Sequence, residues 1–227
     1  MTYAGRLDPL AEGVLIILTG DECKKKDLYL GLDKEYQVEI LLGVSSDTGD
    51  ALGVVKTKDR SNTYDIKNKD EAYSLEIIKE KVTTLIGKRK EKYPAYSSKP
   101  VHGKPLFMHA REGNIDAIEI PQKEIEIYSI DVLSVVEVGL NELVDRATER
   151  VGKVKGDFRQ TESIKSWHSL MELYMSGQIP KFHLIKIRAH VSPGAYMRTL
   201  AEKLGKLLGT RALAWKIKRT KIGEYTE

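Results

Sequence analysis

Tyr3-Ala4-Gly5-Arg6-Leu7-Asp8-Pro9-Leu10-Ala11-Glu12-Gly13 sets the carboxylate of Asp8 on a turn of defined shape. Pro9 holds its own φ at about −65° and pushes the preceding Asp8 out of the α region, while Gly5 and Gly13 permit tight turns. Five apolar residues, Val14-Leu15-Ile16-Ile17-Leu18, follow at once and read as a fully buried strand. A reactive group mounted on a turn and tied to a buried strand is held firmly. An aspartate before a proline is, taken alone, most often an ordinary turn opener, so the meaning of the stretch depends on the rest of the chain.

The chain has 227 residues, enough to bury a sizeable core as one domain carrying an insertion. With 41% hydrophobic and 31% charged residues it reads as globular. No run approaches the roughly 18 apolar residues of a membrane span, and the first residues do not read as a leader. One cysteine, Cys23, forms no internal disulfide and fits a reducing cytoplasm. His102, His109, His168, His183 and His190 are scattered without ligand spacing, so no metal site is expected. The net charge of +4 is unevenly spread. Lys203 to Lys221 holds seven Lys/Arg and no acid, and Lys88 to Lys104 holds six against Glu91, with Tyr93 and Tyr96 interleaved. Such runs are commonly solvated faces, but two of them with aromatics favour an anionic polymer such as RNA.

Asp21 to Leu30 reads as a short helix, and Lys34 to Gly43 alternates as a half-buried strand does. Val44 to Gly53 reads as a polar loop and Val54 to Thr57 as a strand. Leu75, Ile78, Val82, Leu85 and Ile86 fall at helical spacing, with Gly87 as the stop. Lys88 to Pro105 reads as a loop, then a short helix ends near Gly113. Ile118 to Val138 predicts one or two strands. Leu140 to Lys181 holds two helical stretches, about 141–151 and 162–174, and reads as a helical insertion in a β-rich body. Ile164, Trp167, Met171 and Tyr174 share a helical face that docks on the core. Leu184 to Val191 alternates, and Met197 to Leu208 carries a clean apolar stripe closed by Gly209. The basic segment Trp215 to Lys221 follows.

Four stretches in order carry a resemblance. They are the Gly5–Gly13 turn; Lys34-Glu35-Tyr36 with Leu42-Gly43 and Asp47-Thr48-Gly49-Asp50; Tyr96-Ser97-Ser98-Lys99 with Gly103-Lys104-Pro105-Leu106-Phe107 and Ala110-Arg111-Glu112-Gly113; and Ser192-Pro193-Gly194-Ala195-Tyr196-Met197-Arg198-Thr199-Leu200. Together they resemble the TruB-type tRNA pseudouridine synthases from residue 3 to about 223, with 140–181 outside the likeness. The resemblance implies an α+β pseudouridine synthase fold: a mixed, mostly antiparallel central sheet flanked by helices. It implies isomerisation of uridine in tRNA, in the T loop as in tRNA pseudouridine(55) synthases, on a flipped-out base and without cofactor. Asp8 takes the place of the family's carboxylate, which attacks the sugar or base or stabilises the separated sugar. Arg198 matches the arginine that aims it, and Tyr36 the tyrosine that stacks on the base near its C5 proton. Tyr196 and Ile217 match pocket residues, and Lys34, Lys99, Lys104 and Arg219 are expected to bind substrate. Two alternatives remain: a ribosomal or guide-directed RNA target, or a non-catalytic protein that binds RNA or folds tRNA.

The chain departs from the family in having Tyr3 where a histidine is usual and Glu91-Lys92-Tyr93-Pro94 in place of Gln-x-Pro-Pro. It is expected to be a single catalytic domain, short at the N-terminus, without a C-terminal RNA-binding domain, monomeric and cytoplasmic. Residues 1–7 are expected to be mobile without RNA, and the insertion to pack near the catalytic end.

Overall fold

In a computed structural model that describes residues 1–56, 73–175 and 181–227, the chain opens with three short strands, β1 (Thr2–Ala4), β2 (Glu12–Gly13) and β3 (Ile16–Leu18). A 3-10 turn over Gly20–Lys25 and helix α1 (Lys26–Leu30) lead to β4 (Lys34–Leu42). Helix α2 (Leu75–Thr83) starts at Ser74, whose hydroxyl accepts from the Ile77 amide as an N-cap. Next come β5 (Gly87–Lys92), the small hairpin β6 (Pro100–Val101) and β7 (Lys104–Pro105), helix α3 (Leu106–Arg111) and the long strand β8 (Gln122–Val138). Helices α4 (Leu140–Gly152) and α5 (Gln160–Met175) form a pair before β9 (Phe182–Val191), α6 (Met197–Leu207), β10 (Ala212–Ile222) and β11 (Tyr225–Thr226).

The main sheet runs β11-β10-β4-β9-β8-β5 with every neighbour antiparallel; β2 adds to β10 in parallel. β4 lies at its centre and is covered on both faces, because successive side chains point to opposite sides. Val38, Ile40 and Leu42 join a cluster with Ile78 and Val82 of α2 and the Met197-Leu200-Leu204 stripe of α6. Leu41 joins the other, with Leu143 and Val144 of α4, Trp167 of α5, and Trp215. Trp167 is fully buried, its ring edge-on to Trp215 at 5.7 Å, and its indole N–H donates to the Ala51 carbonyl at 3.1 Å. The Ser163 hydroxyl donates to the Gly53 carbonyl, and the Ser166 hydroxyl accepts from the Val55 amide. The helix pair thus braces the loop that follows β4.

The α+β architecture, the helix pair and the mostly antiparallel sheet agree with the sequence reading; several local expectations do not. Val14 to Leu18 is not a fully buried strand. Only Ile16–Leu18 is extended, it pairs with β1 alone, and Leu15 and Ile17 are 41% and 59% exposed. A two-stranded ribbon covers one face, so alternate apolar residues of the run stay outside. Residues 2–4 are paired in that ribbon, where looseness was expected. Lys88 to Lys92 is not loop but edge strand, paired with β8 from Gly87 to Lys92. Charged residues suit an edge, where they discourage pairing with another chain, and they erase the apolar alternation that marks inner strands. The basic run after Trp215 is strand β10, with its lysines alternating outward. Of Val54 to Thr57, Val55 makes an isolated bridge to Ser46, and Thr57 lies outside the described residues.

Candidate active site

Arg219 closes the Asp8 turn from beneath. It is 2% exposed, its Nε donates to the Val14 carbonyl at 2.8 Å and its Nη2 to the Gly5 carbonyl at 3.0 Å, so one side chain ties both ends of the turn. Gly13 lets the turn meet β10. Its φ is +107°, and a Cβ there would sit 2.2 Å from the Arg219 carbonyl oxygen. Within the turn the Ala11 amide donates to the Asp8 carbonyl at 2.9 Å.

The first turn of α6 aims Arg198 at Asp8. Its Nε donates to Oδ2 at 2.8 Å and its Nη2 to Oδ1 at 3.0 Å, the side-on fork that a guanidinium makes with a carboxylate. The remaining donors reach the Thr48 carbonyl at 2.9 Å and the Tyr96 carbonyl at 3.2 Å. Arg198 is only 3% exposed; burial works against its charge, and Asp8 and Asp50 more than restore it. Asp50 lies 3.9 Å from Arg198 Nε and accepts from the Thr48 hydroxyl and the Leu52 amide. Burial pushes its carboxyl above the usual range, opposed by Arg198. Gly49, at φ +77°, lets this loop pass α6, since a Cβ there would lie 3.3 Å from Cβ of Arg198.

Asp8 stands between two cavities. The smaller, about 430 Å³, is lined by Asp8, Tyr36, Tyr196 and Ile217, and by Lys34 and Arg219. All six were singled out in the sequence, although Arg219 is chiefly a clamp on the turn. Burial raises the hydroxyls of Tyr36 and Tyr196, so both are phenols at neutral pH. Lys34 donates to the Leu30 carbonyl at 2.7 Å and is lowered to about 8 by burial. Lys99 and Lys104 line neither cavity: Lys99 sits 5.3 Å from the Tyr93 ring centroid, and Lys104 pairs with Glu112. Lys123 was not foreseen. Its ammonium lies 4.7 Å from the Tyr196 ring and 4.8 Å from Tyr93, on the wall of the smaller cavity, and burial lowers it to about 8. No local signal marks it, because it comes from a charged stretch of β8 brought beside Gly194 only by the sheet. Asp50 and Tyr96 were visible only as motif letters, and their contacts with Arg198 are tertiary.

The larger cavity, about 900 Å³, holds Asp8 and Arg198 on one side and residues 150–159, between and at the ends of α4 and α5, on the other. The helix pair therefore reaches the Asp8 end of the molecule, as expected. Arg159 pairs with Asp47 at 2.8 Å and stacks 5.0 Å from the Tyr96 ring, whose hydroxyl donates to Asp47 at 2.9 Å. Burial pushes that hydroxyl up to about 12. Among the described residues, no group of three His, Cys, Asp or Glu could hold a metal ion, and no helix is long and apolar enough to cross a membrane.

An arginine-clamped carboxylate thus stands between two clefts on an α+β sheet backed by helices. The family model described as TruB family pseudouridylate synthase (N terminal domain) matches residues 1–155, and the chain belongs to that family. It is 30% identical over 226 residues to the tRNA pseudouridine synthase B of Oceanobacillus iheyensis, covering 99% of this chain and 57% of that one. It is also 30% identical over 224 residues to the protein of the same name from Thermosipho melanesiensis, covering 98% and 55%. The chain thus spans little more than half the length of these relatives. Its fold is similar to a chain in the crystal structure of a Cbf5-Nop10-Gar1 complex, with a TM-score of 0.53 and 16% identity over 99% of this chain and 41% of that one.

Proposed function

We propose that this chain isomerises uridine to pseudouridine in tRNA, at a T-loop uridine, with Asp8 as the catalytic carboxylate. The observation that carries this is the side-on Arg198–Asp8 pair at the mouth of a cavity lined by Tyr36, Tyr196 and Ile217. The uridine leaves its stack and its base enters the smaller cavity, with the aromatic rings against its faces. Asp8 then acts at the sugar or the base. In one route the carboxylate bonds to C1′ as the N1 glycosidic bond breaks; in the other it stabilises the sugar left as the base departs. The freed uracil turns in place and C5 bonds to C1′, breaking the Asp8–C1′ bond where one had formed. The C5 proton passes to the Tyr36 hydroxyl as that phenol gives its own proton up toward N1, which restores the phenol and leaves N1 protonated. Arg198 keeps the carboxylate aimed throughout, since its four hydrogen bonds leave it no other position.

Lys34 and Lys123 supply positive charge at the cavity wall for an anionic substrate. The names of the similar sequences support tRNA as the RNA. On this reading the protein works as a monomer in the cytoplasm, with RNA as its partner. Incubating it with unmodified tRNA transcript and mapping pseudouridine tests the proposal. Modification at one T-loop uridine is expected; absence of pseudouridine from every tRNA tested overturns it.

A further inference from the structure

The larger cavity has an excess of positive charge that the chemistry at Asp8 does not use. Its acids are already matched: Asp8 and Asp50 by Arg198, Asp157 by Arg111, and Glu12 by Lys216. Lys153 pairs with Glu149, and Arg159 with Asp47. Arg150, Lys155 and Arg6 also line the cavity, and among the described residues none has a carboxylate within ion-pair distance.

Arg150 is the unusual member. It projects from α4, half-buried, with its guanidinium 5.2 Å from the Trp215 ring centroid and Nη1 donating to the Trp215 carbonyl at 2.7 Å. A guanidinium has five N–H donors in a planar fork; this is its one hydrogen bond among the described residues. Burial lowers its affinity for its proton, and Glu39, Glu12 and Asp50 restore only part of that. Trp215 and Phe182, buried beneath the helix pair, fix where α4 stands. A desolvated, immobilised and unpaired guanidinium facing a cleft is prepared for an anion that arrives from outside.

We propose that the larger cavity binds a backbone phosphate of the RNA strand next to the target uridine, with Arg150 as its principal ligand and Lys155 as a second cation. This rests on the reading of Asp8 as the group that acts on a flipped uridine. With the base in the smaller cavity and the ribose at Asp8, the strand must leave past Asp8, and the larger cavity lies on that side. The helix pair is then part of the substrate surface as well as a brace. Phosphate contacts set register and orientation rather than sequence preference, so this site positions the strand without reading it.

The test is a set of T-arm stem-loop RNAs, each with one uncharged methylphosphonate linkage beside the target uridine, bound to wild type, Arg150→Gln and Lys155→Gln. Arg150→Gln is expected to weaken binding of the unmodified RNA about tenfold, the loss of one charge-assisted hydrogen bond. One methylphosphonate position should weaken wild type by a similar factor and leave Arg150→Gln unaffected. Lys155 is exposed at the rim of the cavity and makes no ion pair among the described residues, so Lys155→Gln should keep the fold and lower the slope of log affinity against log salt by about 0.7. The inference is overturned if both variants bind like wild type, or if every methylphosphonate weakens wild type and Arg150→Gln alike. Pseudouridine formation by wild type on the same RNA is scored separately. Its absence would refute the catalytic reading, whereas its presence with unchanged binding in the variants would refute only the phosphate site.

Discussion

Arg198 grips Asp8 side-on, with Nε on Oδ2 and Nη2 on Oδ1, and spends its other donors on the Thr48 and Tyr96 carbonyls. One buried side chain therefore registers the Asp8 turn against the loop after β4 and the Tyr96 segment. A distortion in any of the three is transmitted to the carboxylate.

Asp8→Asn should abolish pseudouridine formation while leaving RNA affinity within about twofold, because affinity rests on phosphate contacts that the change does not touch. Single-turnover assays paired with equilibrium binding check this. A variant that still modifies RNA at a comparable rate removes Asp8 from the chemistry.

Arg198→Lys keeps a charge but not the fork, and cannot reach both carboxylate oxygens and two carbonyls at once. The single-turnover rate should fall about 100-fold, the order expected when a reacting group is displaced by about 1 Å. A rate near wild type would show that charge alone suffices.

Trp167→Ala removes the indole at the centre of the helix-pair contact, along with its hydrogen bond to Ala51. Thermal or denaturant unfolding should show a loss of about 3–5 kcal/mol. The loop carrying Asp47, Thr48 and Asp50 loses its brace, so the modification rate should fall as well. A stability loss under about 1 kcal/mol would mean that the pair is loosely attached.

Gly13→Ala forces a Cβ onto a residue at φ +107° and against the Arg219 carbonyl. The backbone strain alone is worth about 1–3 kcal/mol, and melting should fall by about 2–4 °C for each kcal/mol lost. An unchanged melting temperature would contradict the parallel β2–β10 pairing.

Lys34 is held at about 8 when folded, against 10.5 otherwise. Between these values the unfolded chain binds the extra proton, so the contribution of Lys34 to stability rises with pH across that window. The stability of wild type minus that of Lys34→Met should therefore increase from pH 8 to pH 10.5. A difference that stays flat would place the ammonium in open solvent.

Much of the site could be found in the chain itself. The Gly-Arg-Leu-Asp-Pro turn, Tyr36 on an alternating strand, and Arg198 at the head of an amphipathic helix are local patterns, each made by residues near one another in sequence. The helices themselves were legible for the same reason, since the 3.6-residue stripes of α2, α4 and α6 lie within single segments, although α2 ends at Thr83, short of the expected stop at Gly87, which instead opens β5. What the chain alone could not say is which segments meet. Arg219 reads in the chain only as a substrate-binding cation; that it also ties two carbonyls of a turn about 200 residues away is visible only in the fold. The charged edge strand β5 read as loop because its identity comes from its partner β8, and Lys123 entered the cavity wall only through that sheet. The matching of the acids around the larger cavity, which leaves Arg150 without a carboxylate partner among the described residues, is likewise a property of long-range packing. Local periodicity is set by backbone geometry and is written in neighbouring residues. Charge pairing and cavity walls depend on contacts between distant segments, and only the folded chain decides them.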